Sequence, residues 1–172
     1  MDSGVAADPS GEPVVELAAE QAASRQAALA TPLPDRPVGM DEDSPAGAIA
    51  TAEYFVQLFP YVYATGDLTE WRAMTRKDCA FCTSVIDNVT ELHSKGGWSE
   101  PWAHTVTQAR YAEPGAGSDY SRVDVVFNQE ISYTYDGTGA DPDVTEPQVG
   151  TTVVLAMKYV DGRWVIREGE VV

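Results

Sequence analysis

The hydrophobic residues of this 172-residue chain change their spacing once, near Trp98, from a helical period to a two-residue alternation. Before that point Ile49, Ala52, Phe55, Val56, Phe59 and Val62 recur every three or four residues, as do Leu68, Trp71 and Met74, then Cys82, Val85, Ile86, Val89 and Leu92. After it, Val123, Val125, Phe127, Ile131, Tyr133 and Tyr135 share one side of an extended run. Arg122, Asp124, Asn128, Glu130, Ser132 and Thr134 share the other, with Val126 the apolar exception. The stretch from Trp102 to Tyr111 alternates less cleanly. Helices followed by half-buried strands can cover their apolar faces only by stacking one on the other. The expected class is α+β, with three helices on an antiparallel sheet of about four strands.

The breakers agree with this order. Ser44-Pro45 reads as an N-cap followed by proline at the first helical position, and the helix should run to about Ala64. Pro60 falls inside it, removing one intrahelical bond, so a kink is expected near Val56 to Phe59. Gly66 suits a left-handed helix end, Asp67 can cap Leu68 to Met74, and Gly96-Gly97 ends a third helix from about Cys79 to Ser94. Asp161-Gly162 favours a type I′ hairpin, pairing Tyr159 with Trp164, Met157 with Ile166 and Leu155 with Glu168.

Upstream of Ser44 the composition differs. All aromatic residues lie at Tyr54 or later, and residues 1–43 hold nine acids against two bases. Such a segment has little apolar surface to offset its ordering entropy, so residues 1–43 read as a disordered acidic tether, with Val14 to Ala30 at most a frayed helix. Residues 44–172 are the domain. The net charge of −16 repels phosphate backbones, which excludes nucleic acid as a partner. No run of about 18 apolar residues is present to span a membrane, and Met1-Asp2 opens no basic-then-apolar signal segment.

Three helices followed by a sheet that ends in the hairpin Tyr159 to Ile166 resemble the nuclear-transport-factor-2-like (cystatin-like) cone over about residues 44–172. More narrowly, Ala52-Glu53-Tyr54-Phe55, Tyr61 to Asp67, Cys79-Ala80-Phe81-Cys82 and Gly96-Gly97-Trp98 are similar to a family of actinobacterial cell-surface lipoproteins whose domain has no assigned function. The resemblance implies a curved sheet and a location on the cell surface or secreted. It also implies a lipid anchor in a longer precursor, since this sequence has the tether but neither signal nor lipid-attachment cysteine. It carries over no catalytic residue. Cone domains commonly pair through the open sheet face, which leaves a homodimer open.

Cys79 and Cys82 are the only cysteines. A structural disulfide would suit an oxidising compartment and add about 2 kcal/mol by loop entropy. The alternatives are a redox pair at a helix N-terminus, although thioredoxin-like sites follow a strand, or two reduced thiols. Zinc would need two further ligands, and His93 and His104 lack the spacing, so no metal is expected.

The concave side of a cone would gather Tyr54, Phe55, Phe59, Trp71, Tyr133, Tyr159 and Trp164 into a ligand pocket or simply a filled core. An isomerase- or dehydratase-type enzyme would need a desolvated acid or imidazole there, for which His104, Asp67 and Glu168 are the candidates. No phosphate-cradling glycine loop, nucleophile elbow or paired acidic motif occurs, so no cofactor is expected, and Asp136 to Glu146 reads as a solvated acidic loop. Three functions follow: a non-catalytic extracytoplasmic domain binding a protein or a small apolar ligand, a cone-fold acid-base enzyme, or a thiol-redox protein. An open pocket holding His104 or a carboxylate would favour the enzyme.

Overall fold

The computed structural model describes residues 6–7, 13–14 and 16–172. Its elements are β1 (Ala6–Ala7), β2 (Pro13–Val14), α1 (Ala19–Leu29), α2 (Pro45–Thr65), α3 (Thr69–Met74), α4 (Ala80–Ser94), β3 (Trp98–Ser99), β4 (His104–Ala112), β5 (Ser121–Gln129), β6 (Ser132–Tyr135), β7 (Asp143–Thr145), β8 (Gln148–Val160) and β9 (Arg163–Val171). The class is α+β. Instead of three helices on one sheet, however, the described residues form four helices, and beyond the β1–β2 pair their strands divide between two antiparallel sheets, ordered β4-β5-β8-β9 and β3-β6-β7.

Helix α2 is the spine. The Ser44 hydroxyl accepts from Gly47 N at 3.0 Å, Pro45 fills the first turn, and Gly66 closes the helix at φ 73°. The helix continues through Pro60. Its Ala48, Ala52, Phe55, Leu58 and Val62 are buried in one core with Val123, Val125, Leu155, Met157 and Ile166 of the larger sheet. Each of the large side chains contributes roughly 1.5–3 kcal/mol by leaving water.

The tether reading fails from Leu17 onward. Helix α1 is whole, and its fully buried Ala28 joins Ala64 and Trp98 in a second small core against which Leu17 and Tyr135 pack. The Trp98 indole donates to Ser24 Oγ (3.1 Å), and Ser24 donates to Glu100 Oε1 (3.0 Å). The segment after α1 then crosses the domain as a strap. Thr51 Oγ1 donates to Met40 O (2.9 Å), Tyr159 to Asp41 O (2.8 Å) and Trp164 Nε1 to Glu42 O (2.8 Å). Gly47 lets the strap pass, because a Cβ there would lie 2.0 Å from Glu42 O. Composition misses this because three main-chain carbonyls, with Met40 as the buried apolar side chain, dock the strap. The part of the tether reading at residues 1–5, 8–12 and 15 lies outside the described residues.

Two strand expectations also change. The run from Val123 to Tyr135 is not one strand but β5 and β6, which belong to different sheets and part at Glu130-Ile131. The hairpin turns at Asp161 (φ 50°) and Gly162 (φ 85°), and Tyr159 opposes Trp164 and Met157 opposes Ile166. A bulge between Ala156 and Met157 takes up Arg167, so Leu155 opposes Gly169 instead of Glu168. The acidic loop is only partly a loop, since Asp143–Thr145 pairs with β6 and Gln21 of α1 donates to Gly139 O and Ala140 O.

Candidate functional site

Between α2, α3, α4 and the concave face of the larger sheet lies a cavity of about 210 Å³. Its walls are Phe55, Val56 and Phe59 of α2, Trp71 of α3, Phe81 of α4, and Phe127, Val153 and Val171 of the sheet. One end is polar, formed by His104, Gln129, Gln148 and Thr151. That end follows from strand pairing: His104 opposes Gln129 across β4 and β5, and Gln129 opposes Gln148 across β5 and β8. Directly paired residues point to the same face of a sheet, so these three side chains form a row.

The aromatic wall is fixed from behind. Phe55 stacks on Trp71 with ring centroids 4.1 Å apart, and the Trp71 indole donates to Cys82 O at 3.1 Å. Cys82 and Cys79 form a disulfide at the start of α4, and Cys79 Sγ accepts from Cys82 N as the helix cap. Both cysteines are fully buried, so an external thiol has no approach in the folded state. Phe81, between them, packs against Gly169, where a Cβ would lie 2.8 Å from its ring.

His104 is almost wholly buried, with its ring 4.5 Å from that of Phe127 and 5.7 Å from that of Phe59. Nδ1 lies 3.0 Å from Val56 O, and Nε2 lies 3.1 Å from Trp102 Nε1. A carbonyl only accepts and an indole N–H only donates, which makes His104 neutral, with the proton on Nδ1 and the Nε2 lone pair turned to Trp102. The Gln129 side-chain oxygen lies 3.2 Å from Nε2. Desolvation by burial holds the imidazole below its ordinary pKa, against the pull of its hydrogen bonds. The Val56 carbonyl is free for this bond because its partner four residues on is Pro60, which has no N–H.

Of the residues expected in a pocket, Phe55, Phe59 and Trp71 line the cavity. The other four do not. Tyr54 is buried with its ring 5.8 Å from the Arg36 guanidinium and its hydroxyl unpartnered, Tyr159 and Trp164 hold the strap, and Tyr133 pairs with Val144 in the smaller sheet. Asp67 is exposed: it accepts from Thr69 N (3.1 Å) and Tyr61 OH (2.9 Å), and the Thr69 bonds, first its side chain's, hold its carboxyl below the usual range. Glu168 is exposed on the far side of the bulge. His104 alone of the three candidates reaches the cavity. Gln129 and Thr151 escaped notice, although each is a polar residue at an apolar-face position, two residues from Phe127 and Val153 respectively. That parity is the signal that could have found them.

Among the described residues, no three His, Cys, Asp or Glu side chains cluster to hold a metal, and no helix is long and apolar enough to cross a membrane. The fold and site define an α+β domain with a small apolar cavity bounded at one end by neutral polar groups. The chain belongs to DUF6318, a family of unknown function, whose profile matches residues 18–170 and so takes in α1 and the strap. The crystal structure of the intermembrane space region of chloroplast protein ARC6 is similar in fold. It has a TM-score of 0.53 at 12% identity, over 75% of this chain and 96% of that one. No curated protein matches the chain.

Proposed function

We propose that this chain is a non-catalytic binding domain, held outside the cytoplasm on the cell surface, whose cavity takes a small apolar ligand. One observation carries the reading: the cavity is lined by apolar side chains, two amides, a hydroxyl and a neutral imidazole, with no carboxylate or cation among them. Acid-base catalysis needs a group free to move a proton, and both His104 nitrogens are committed, to Val56 O and to Trp102. The enzyme reading keeps one point in its favour, a buried imidazole of lowered pKa in an open cavity.

The nuclear-transport-factor-2-like cone is the architecture we assign. Bulges at Val106/Gln108, Phe127/Gln129 and Ala156/Met157 bend the larger sheet around α2, which supports it. A buried disulfide supports an oxidising compartment. A lipid-anchored longer precursor, a protein partner at the cone mouth and pairing through the outer sheet face complete the proposal.

The test is a titration of the protein with neutral single-ring compounds, followed by Trp71 fluorescence and thermal shift. Saturable binding that is lost on filling the cavity, for example in Val153→Trp, is expected. Absence of saturable binding by every such compound overturns the reading. Turnover of any of them that disappears in His104→Gln would establish the enzyme instead.

A further inference from the structure

We infer that the cavity mouth is a peptide-docking site, where an extended basic segment of a partner protein pairs with the open edge of β8 and inserts one large apolar side chain into the cavity. The inference rests on the binding reading above and names the partner at the cone mouth. Strand β8 outruns β9. Val171 opposes Val153 and Val172 N donates to Thr152 O at 3.0 Å, whereas Gln148–Thr151 is paired with β5 alone, through Phe127 opposite Thr151 and Gln129 opposite Gln148. The Gly150 amide also turns to β5, donating to Asn128 Oδ1 at 3.0 Å. Among the described residues, none pairs with the other side of that stretch. It carries neither charge nor proline, the residues that guard an exposed strand edge.

The open edge and the cavity share residues. Gln148, Thr151 and Val171 line the cavity, while Val171 is 56% exposed and Val149, next to Gln148, 86% exposed. A strand laid along Gln148–Thr151 continues the sheet where β9 leaves off and covers these valines, with alternate side chains turned to the cavity face. A dry apolar cavity of roughly 150 Å³ accepts a benzene ring. At about 210 Å³ this one has room for a phenylalanine or leucine side chain. Main-chain bonds hold such a segment and the inserted side chain selects it. Its charge follows from the rim. Glu130 adjoins Gln129, Glu146 is separated from Gln148 by Pro147 alone, Glu170 adjoins Val171, and all three are exposed. No Lys or Arg occurs between Arg122 and Lys158 or in residues 168–172. Flanking Lys or Arg side chains therefore meet carboxylates and no cation, and the field of a chain with net charge −16 draws them in.

The experiment titrates the full chain, by calorimetry at low salt, with toluene and with the acetylated and amidated heptapeptide Lys-Thr-Val-Phe-Val-Thr-Lys. Saturable binding of both is expected, with toluene displacing the peptide. Replacing the peptide's Phe by Ala should weaken it at least about tenfold, as loss of a buried anchor does. N-methylating its three central amides should also weaken it about tenfold, since those amides could no longer pair with β8. Replacing both Lys by Glu should abolish binding, and added salt should weaken the parent peptide. Bound peptide should slow amide hydrogen exchange over Gln148–Thr151, a readout that needs no variant of the protein. Peptide binding that toluene does not displace, that survives N-methylation undiminished, or that leaves exchange over Gln148–Thr151 unchanged overturns the inference. Toluene binding without peptide binding overturns it too, while leaving the ligand-binding reading in place. Failure of both toluene and peptide to bind overturns the binding reading itself.

Discussion

Pro60 and His104 act on the same oxygen: the proline withholds the amide hydrogen that would have bonded Val56 O, and the imidazole supplies its Nδ1 hydrogen there instead, at 3.0 Å. A helix defect and a buried polar side chain thus satisfy each other. His104→Ala should cost about 3 kcal/mol, since it strands both the carbonyl and the Trp102 indole. In a Pro60→Ala background residue 60 can bond Val56 O itself, and the same substitution should cost at least about 1 kcal/mol less. Urea unfolding of the four chains in the cycle measures this coupling, and an additive result would remove the link.

The two histidines set an acid limit. Burial holds both His93 and His104 below their ordinary value of 6.5, so below that pH the unfolded chain takes up protons that the folded one refuses. Their contribution to stability is therefore present above pH 6.5 and is lost as the pH falls toward the folded-state values, for His104 by at most about 1.4 kcal/mol per pH unit. Relief of repulsion among the 27 acids acts in the opposite sense. The diagnostic is accordingly the slope: Tm between pH 7.5 and 5 should fall less steeply in His104→Phe than in the wild type. Equal slopes would mean that His104 titrates normally.

The disulfide should behave as part of the cavity wall. Because both sulfurs are buried, a dithiol at neutral pH should leave the bond intact until urea opens the chain. Replacing both cysteines with serine should cost about 2 kcal/mol. It should also speed hydrogen exchange at the Trp71 indole, whose acceptor is Cys82 O. Rapid reduction of the native protein would contradict the burial.

Gly169 tests the same wall from the sheet side. An alanine Cβ there would lie 2.8 Å from Phe81 Cδ1 and 3.3 Å from Leu155 Cδ2, so Gly169→Ala should cost about 1–3 kcal/mol as overpacking. It should also weaken binding of neutral single-ring compounds, because the displaced ring moves into the cavity. Full stability with unchanged affinity would show that Phe81 can yield elsewhere.

What the sequence disclosed, it disclosed through local chemistry. Ser44, Gly66 and Asp161-Gly162 sit where their capping and turn preferences place them. Phe55, Phe59 and Trp71, on helical periods, do line the cavity. What stayed hidden depends on pairing across long separations. An alternation of period two cannot announce that Ser132–Tyr135 leaves the sheet of Ser121–Gln129, nor that a bulge shifts Glu168 past Leu155. Tyr159 and Trp164 read as pocket aromatics until their polar tips find the carbonyls of Asp41 and Glu42. Likewise, no periodicity tells that Gln129 lies between His104 and Gln148.

The small core under α1 gives a last measurable consequence. Trp98 is fully buried beneath that helix and stacked on Tyr135 at 4.6 Å. Trp98→Ala should cost about 3–5 kcal/mol, and Ser24→Ala, which leaves its indole N–H unpaired, about 1 kcal/mol or more. Urea unfolding with hydrogen exchange on α1 would detect both. A neutral Trp98→Ala would return α1 to the status of a loose appendage.

The strap also sets an order of assembly. Its carbonyls at Asp41 and Glu42 are met by side chains 118 and 122 residues further along the chain, on the last hairpin. Loops of that length close slowly and late. During synthesis, the Asp41 carbonyl must wait for Tyr159, and the Glu42 carbonyl, already met by Ser44 N, gains Trp164 only when the last hairpin has emerged, so this stretch settles well after it is made.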